Sequence, residues 1–415
     1  MTYMSLRKYA DAEELAIKVL DLRNKLLGKE HPDTISAMSN LAATNEIIGK
    51  YANVEKLQIQ ILDLRSRLLG EQHHHTILAM GNLANTYHSL ERYTDAEKLQ
   101  IKVIDLRSRL FGEEHPTTIL AMSDLAITFK SLGKHAYARK LQIKALNLRK
   151  ILLGEEHPDT ITAMSNLAAI NEILGKYADA EKLQIQVLDL GHRVLGEEHP
   201  YTILAMGNLA NTYHSLEKYT DAKKLQIKVL NLKNRLLGEE QPDTILAMGN
   251  LATTYHSLGK YADAERLQIK VLHLMDRLFG KEHPDTILAM GNLAYTYQSL
   301  GKYADAVKLK IKILDLKNKL LGEEHPDAIN AMENLAITFY YLQKDPDAAR
   351  VEVQVVDVRK KIFGEEHPEI VKAVAILAEI RSKQWQYLQK LDLNPIEIPQ
   401  ELNQEEKVMF IYSGI

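Results

Sequence analysis

The sequence predicts an all-α fold, an array of antiparallel helical hairpins in which each hairpin packs on its neighbours. Glycines at positions 28, 70, 112, 154, 196, 238, 280, 322 and 364 are 42 residues apart without insertion or deletion. A stretch resembling "GEEHPDTI" follows each of these glycines, and two runs of apolar residues at helical spacing then complete the period. A fixed period of this length is typical of a solenoid.

The unit from Gly70 to Phe111 illustrates how each hairpin is specified. The proline found in most "HPDT" segments suits the first turn of a helix, where no backbone hydrogen bond is lost. The turn between the two helices reads "LERYTD" here and "LGKYAD" in other units. The glycine of the second form suits a helix C-terminus. The predicted first apolar stripe is Ile77, Met80, Leu83, Ala84, Tyr87 and Leu90, and the second is Ala96, Leu99, Val103, Leu106 and Leu110. The second helix should span near 19 residues.

The period also predicts the organisation of the chain. Residues 1–27 form a partial first repeat (a second helix), and residues 28–363 form eight full units of 42 residues. Residues 364–391 lack the usual turn and are expected to form a C-terminal capping helix, with Trp385 sealing the last face. Residues 392–415 break the pattern and are expected to be irregular or disordered. Because "TYMSLRKYADAEEL" aligns with "TYHSLERYTDAEKL" at 86–99, the sequence resembles a piece of a longer array.

Composition and motifs favour a soluble, cytoplasmic, non-catalytic protein. The net charge of −3 gives no footprint for nucleic acid, and the absence of cysteine excludes disulfides and thiolate chemistry. No apolar segment is long enough for a membrane span. Neither a G-x-x-x-x-G-K-[ST] phosphate loop nor a G-x-S-x-G elbow occurs, so no enzyme and no cofactor are expected.

Histidine is frequent, with 16 residues, and raises the question of a metal site. Eight of the 16 recur once per unit in the loop before a first helix, among them the first residue of the His73–His75 run. One histidine per loop at this spacing does not make a chelating cluster. We therefore expect structural loop histidines and no metal site.

The residues of the unit resemble a known repeat. Met80, Leu83, Ala84, Tyr87 and Ala96 follow the tetratricopeptide pattern W-x2-L-G-x2-Y…A with Met for Trp and Ala for Gly. The 42-residue length and the wording "GEEHPDT…NLA…GKYADAE" are similar to the long variant of kinesin light chains, nephrocystin-3-like proteins and NB-ARC or NACHT-associated arrays. This resemblance covers residues 2–391. It implies a right-handed superhelix whose first helices line a concave groove for partner peptides or segments.

Carried onto this sequence, the resemblance names the residues of the groove. The Asn of "NLA" recurs in most units, with Asp124 as the exception, and further polar positions follow at three-residue spacing. Carboxamides can pair with any peptide backbone; alternatively, they bond to the neighbouring helix and set the stacking of repeats. The predicted groove residues are Asn40, Asn82, Asn85, His88, Asn166, Asn208, Asn211, His214, Asn250, His256, Asn292 and Asn334.

The small residues beside the Asn positions, such as Gly81 and Ser123, have two interpretations. They could form a floor that a ligand backbone approaches closely. The favoured interpretation is that first helices crowd together there, so that only small side chains fit.

The resemblance implies a protein-interaction scaffold, an adaptor like the kinesin light chains. The predicted partner is an extended protein segment or peptide with bulky apolar side chains, because the first-helix positions lack the cations that grip an acidic tail. Two alternatives are a sensor array detached from a larger NB-ARC or NACHT signalling protein, and a structural array that associates with itself.

Overall fold

The computed structural model describes residues 3–364 together with 367, 368, 370, 373–375, 377 and 378. These residues form 17 helices and no strand, which confirms the predicted all-α hairpin array. The first helices are α2 (Pro32–Ile48), α4 (His74–Ser89), α6 (Pro116–Ser131), α8 (Pro158–Ile173), α10 (Pro200–Ser215), α12 (Pro242–Ser257), α14 (Pro284–Ser299) and α16 (Pro326–Tyr341). The second helices are α1 (Tyr3–Leu27), α3 (Tyr51–Leu69), α5 (Tyr93–Phe111), α7 (His135–Leu153), α9 (Tyr177–Val194), α11 (Tyr219–Leu237), α13 (Tyr261–Phe279), α15 (Tyr303–Leu321) and α17 (Asp345–Phe363).

The helices fall into two compact units, Met1–Glu217 and Lys218–Ile415. Within each unit, successive helices along the chain pack against each other. The predicted capping helix at 364–391 lies mostly outside the described residues, and the predicted tail at 392–415 lies entirely outside them. Of the helices that are described, none is both long enough and apolar enough to cross a membrane.

The loop histidines act as N-terminal caps of the first helices. In α8, the backbone N–H of Asp159 donates to Nδ1 of His157 at 3.1 Å, and Pro158 occupies the first helical position. The same bond recurs at six other first helices, with distances of 3.1–3.3 Å. An N-cap acceptor satisfies one of the N–H groups that the first turn leaves unpaired. Gln241 holds this position before α12 and makes no such bond.

The turns within the hairpins depend on left-handed backbone. At Gly133, φ is 73°, and Lys134 N–H donates to the Phe129 carbonyl at 2.8 Å, as in a Schellman turn. Glutamate adopts the same conformation in two units, at Glu91 (φ 60°) and Glu217 (φ 59°). The predicted "LERYTD" and "LGKYAD" segments are therefore the same turn with and without its glycine.

A small apolar cluster repeats along the array. In one copy, Ile77 and Met80 of α4 pack with Val103 and Leu106 of α5 and with Ala121 of α6. Most members of the predicted stripes are buried, and α5 has the expected 19 residues. Leu110 differs, because 45% of it is exposed at the end of α5. The equivalent residues at the end of α7, Leu152 and its neighbour, line a surface cleft rather than the core.

Candidate functional site

The Asn column of the first helices presents its side chains to solvent. Asn40, Asn82, Asn292 and Asn334 are exposed, and the three other members are half-buried. Over the described part of the chain, Asn334 is the member whose side chain makes a hydrogen bond, and that bond goes to the Asn330 carbonyl of its own helix at 2.9 Å. Among the described residues, no side chain of this column bonds to a neighbouring helix. The amides of most members are therefore available to a ligand.

The glycine column beside these amides faces open space. A Cβ added at Gly207, Gly249 or Gly291 would meet no atom within 4 Å, and at Gly81 it would meet only Arg107 Nη2 at 3.7 Å. The favoured sequence interpretation, crowding between first helices, is therefore wrong. The physical reason is that each first helix packs mainly on second helices, and consecutive first helices make few contacts.

The histidine column, one turn further along, joins consecutive units. Nε2 of His88 lies 3.2 Å from Ser131 Oγ in the next first helix, and Nε2 of His256 lies 2.8 Å from Ser299 Oγ. The ring of His88 also contacts Tyr93, with 5.0 Å between centroids. Burial lowers the pKa of His88, of His256 and of their equivalent His214. These histidines thus occupy a more enclosed place than the Asn column.

Asn85 and Asn211, the second predicted pair of amides, are both exposed. Among the predicted groove residues, the histidines are therefore all half-buried, whereas most of the amides are exposed. We use the name amide groove for the surface formed by the Asn column and the glycine column.

A column of cations from the second helices was missed by sequence reasoning, which placed such charges on exposed flanks. Nη1 of Arg107 donates to the backbone carbonyl of Thr117, ten residues later, at 2.7 Å. Arg23, Arg65, Arg149, Lys233 and Lys317 make the equivalent contact at 2.7–3.5 Å. The signal in the sequence is a basic residue directly after a leucine of the second helix, such as Leu106; it is present in these six helices, and Gly191 and Met275 replace it in α9 and α13.

The cation column influences the one acidic member of the Asn column. Burial raises the pKa of Asp124, while the guanidinium groups of Arg107 and Arg149 oppose that shift. An acid at this position is therefore compensated by the cations of two second helices. This pairing explains how Asp124 can replace an amide in the column.

Clefts bring the groove columns together with apolar side chains. Between α6, α7 and α8, a cleft of about 190 Å³ is lined by Leu120, Leu152 and Arg149, among others. The corresponding cleft between α14, α15 and α16 is larger, at about 510 Å³. Its lining includes Leu288, Gly291, Tyr295, Lys310 and Asn334. In the larger cleft, a leucine at the start of a first helix thus lies on the same surface as members of the glycine and Asn columns.

Lys310 gives the larger cleft a distinct polar group. The equivalent residues of six preceding second helices are buried glutamines, one of which, Gln142, donates from Nε2 to the Ala163 carbonyl at 3.0 Å. Nζ of Lys310 donates to Gln298 Oε1 and to the Asn334 carbonyl, both at 3.0 Å. Burial lowers the pKa of Lys310 to about 8.

Among the described residues, no group of three or more histidine, aspartate or glutamate side chains is placed to hold a metal ion. The rings of His74 and His75 lie with centroids 3.9 Å apart, and His73 caps α4. The arrangement offers hydrogen-bonding amides, apolar clefts and a few cations. These groups can recognise another molecule along an extended surface.

Comparison with known proteins identifies the repeat. The tetratricopeptide repeat family model matches eight overlapping segments, at residues 1–57, 40–99, 77–150, 130–188, 159–235, 205–272, 243–310 and 288–361. No curated protein matches the sequence.

Three solved structures illustrate what this chain is similar to. The apo form of RapI is 12% identical with a TM-score of 0.53, covering 85% of this chain and 98% of RapI. A chain of nearly identical TPR-like repeats from Podospora anserina, assigned by its name to the kinesin light chains, is 25% identical over 51% of this chain and all of its own length, with a TM-score of 0.48. BtubC from P. vanneervenii is 21% identical over 57% of this chain and 94% of its own, also with a TM-score of 0.48. Since the family model matches all of residues 1–361 and the helical hairpins follow the same period, the chain belongs to the tetratricopeptide repeat family.

Proposed function

We propose that this protein is a non-catalytic scaffold that binds an extended segment of a partner protein in the amide groove. Tetratricopeptide repeat proteins are generally scaffolds for protein interactions. The observation that carries the proposal is the column of exposed or half-buried amides, most of them without a side-chain partner among the described residues, next to glycines at which an added Cβ would meet little or nothing. In a surface used only for stacking repeats, these amides would be bonded to neighbouring helices.

The chemistry of the groove suits a peptide backbone. Each carboxamide offers two N–H donors and one carbonyl acceptor, so it can pair with a peptide N–H and C=O whatever the side chains are. The glycine column lets that backbone approach closely, because no Cβ intervenes. The clefts beside the column contain exposed leucines, such as Leu120 and Leu288, which can cover bulky apolar side chains of the partner. An adaptor role in the cytoplasm is the context we propose for this binding.

The test begins with peptides selected from a displayed random library against the full chain. Two double variants, Asn40→Leu/Asn82→Leu and Asn292→Leu/Asn334→Leu, each remove exposed amides from one compact unit while keeping side-chain size similar. We expect one of them to weaken the binding of selected peptides at least tenfold by fluorescence anisotropy, because several backbone hydrogen bonds of about 1 kcal/mol each are lost.

The matched control is Asn147→Leu/Asn231→Leu, which makes the same change at exposed positions of the second helices α7 and α11. It should leave both affinity and circular dichroism unchanged. If the selected peptides bind both groove variants as tightly as the unmodified chain, the groove assignment is wrong.

A further inference from the structure

A repeated ion pair joins the start of one second helix to the start of the next. Glu97 of α5 pairs with Lys134, which lies 37 residues later and directly before α7, at 2.7 Å. The same pair occurs between Glu13 and Lys50 and, with arginine as the cation, between Glu55 and Arg92, both at 2.6 Å. In the unit Lys218–Ile415, Glu265 and Lys302 repeat it at 2.6 Å.

At two junctions a cation replaces the glutamate, Arg139 before Lys176 and Lys223 before Lys260, and the first of these lies beside a surface cleft. Arg139 occupies the glutamate position, and the cation 37 residues later is Lys176. Arg139 bonds elsewhere: its Nε donates to Asn171 Oδ1 at 2.8 Å, and its Nη2 lies 3.6 Å from Asp179 Oδ2. Neither Lys176 nor the adjacent Lys140 pairs with a carboxylate in the part of the chain that the structure describes. Two ammonium groups are therefore left without a counter-charge beside a third cation.

These cations surround a surface cleft of about 330 Å³. We call it the Arg139 cleft. Its lining residues are Ala136, Arg139, Lys140, Ile143, Leu174 and Lys176. The cleft therefore combines apolar side chains with three positive charges, and none of its residues belongs to the amide groove.

An equivalent junction in the same compact unit serves as an internal reference. Asn45 corresponds to Asn171, 126 residues later, and both are buried. Glu13 and Lys50 form the usual ion pair beside Asn45, and its Oδ1 has no hydrogen-bond partner. At the later junction, Arg139 donates a hydrogen bond to the equivalent acceptor, Oδ1 of Asn171. The substitution of arginine for glutamate is therefore what removes the counter-charge of Lys176.

We propose that the Arg139 cleft binds a phosphoryl group. A phosphate ester carries a charge of about −1.5 to −2 at neutral pH, which matches the two ammonium groups that lack a counter-charge. Its three oxygens can accept bonds from both lysines and from Nη1 of Arg139, since Nε and Nη2 of that guanidinium face Asn171 and Asp179. The group has two sources, a free phosphate ion and a phosphorylated side chain of a partner protein. The apolar residues Ile143 and Leu174 favour the second source.

The experiment is isothermal titration of the full chain with three probes: inorganic phosphate, the peptide acetyl-Ala-phosphoserine-Leu-Ala-amide, and the same peptide with serine. We expect the phosphopeptide to bind, the serine peptide to fail, and the affinity to fall with added salt. Arg139→Glu, which restores the repeated ion pair, and Lys176→Gln should each weaken phosphopeptide binding at least tenfold.

The matched control is Lys134→Gln, since Lys134 belongs to the same column but pairs with Glu97. It should leave binding unchanged. Equal affinity for inorganic phosphate and phosphopeptide would support the site and identify a free ion as its source. No binding of either phosphate probe, equal binding of the serine peptide, or undiminished binding by Arg139→Glu with native circular dichroism would each overturn the proposal. The Asn40→Leu/Asn82→Leu variant should retain this binding, which separates the two proposals.

Discussion

The histidine caps allow a pair of opposite substitutions within one chain. His157→Ala removes the acceptor that receives the Asp159 N–H at 3.1 Å at the start of α8. Gln241→His adds the usual cap at the start of α12, where the glutamine side chain makes no cap bond. Both helices have proline at the first helical position, and the residue after it is aspartate in each. The local sequences are thus closely matched, and the two substitutions differ mainly in that one removes the cap and the other adds it.

The size of the stability change follows from the hydrogen bond that the cap provides. Losing an N-cap acceptor costs about 0.5–2 kcal/mol. The side chain of His157 is 40% exposed, so water can reach the Asp159 N–H once the ring is removed. We therefore expect a loss of about 0.5–1 kcal/mol for His157→Ala, at the lower end of the range, and a gain of similar size for Gln241→His.

Because repeat arrays unfold in parts, the assay should be local. Native-state amide hydrogen exchange, followed by NMR or mass spectrometry, reports the opening of each first helix separately. A change of about 0.5–1 kcal/mol corresponds to roughly a two- to fivefold change in exchange rate. We expect faster exchange in α8 for His157→Ala and slower exchange in α12 for Gln241→His. Unchanged exchange in α12 on adding the histidine would refute the capping argument.

Three further predictions concern strain and buried charge. Glu91→Gly should raise the free energy of unfolding by up to about 1 kcal/mol, because a left-handed residue with a side chain costs about 1–2 kcal/mol and glycine's greater freedom when unfolded offsets part of that gain. The urea midpoint should rise accordingly, and a lower midpoint would contradict the prediction. Burial, and then the nearby Glu333, raise the pKa of Glu352 to about 7, so its contribution to stability is largest below pH 4.5 and declines as the pH rises to about 7. Glu352→Gln should flatten that decline in denaturation curves, and an unaltered pH profile would argue against the prediction. Lys310→Gln, which restores the buried glutamine found at this position in six preceding second helices, should stabilise the fold at pH 7 because burial disfavours the ammonium. The gain in stability should shrink between about pH 8 and 10.5. A variant less stable at pH 7 would show that the hydrogen bonds of Lys310 outweigh its desolvation.

Much of the fold follows from the sequence because its determinants are local. The glycines at 42-residue spacing, the proline at the first helical position and the apolar stripes each act within a few residues, and together they place the hairpins. Met80 and Val103 were assigned to the core from helical spacing alone, and both are buried. The predicted partner, the adaptor role and the ends of the chain at 364–391 and 392–415 remain predictions.

The character of the surfaces depends on contacts between residues far apart in the sequence. Gly81 was expected to lie between crowded first helices, whereas a Cβ there would meet only Arg107 of a second helix, because each first helix packs mainly on second helices. Arg107 reaches a carbonyl ten residues away, and Arg139 stands opposite the position of Lys176, 37 residues later. Helical periodicity decides which residues share a face of one helix. Only the packing of several helices decides whether that face is crowded or open, and which charges meet across it.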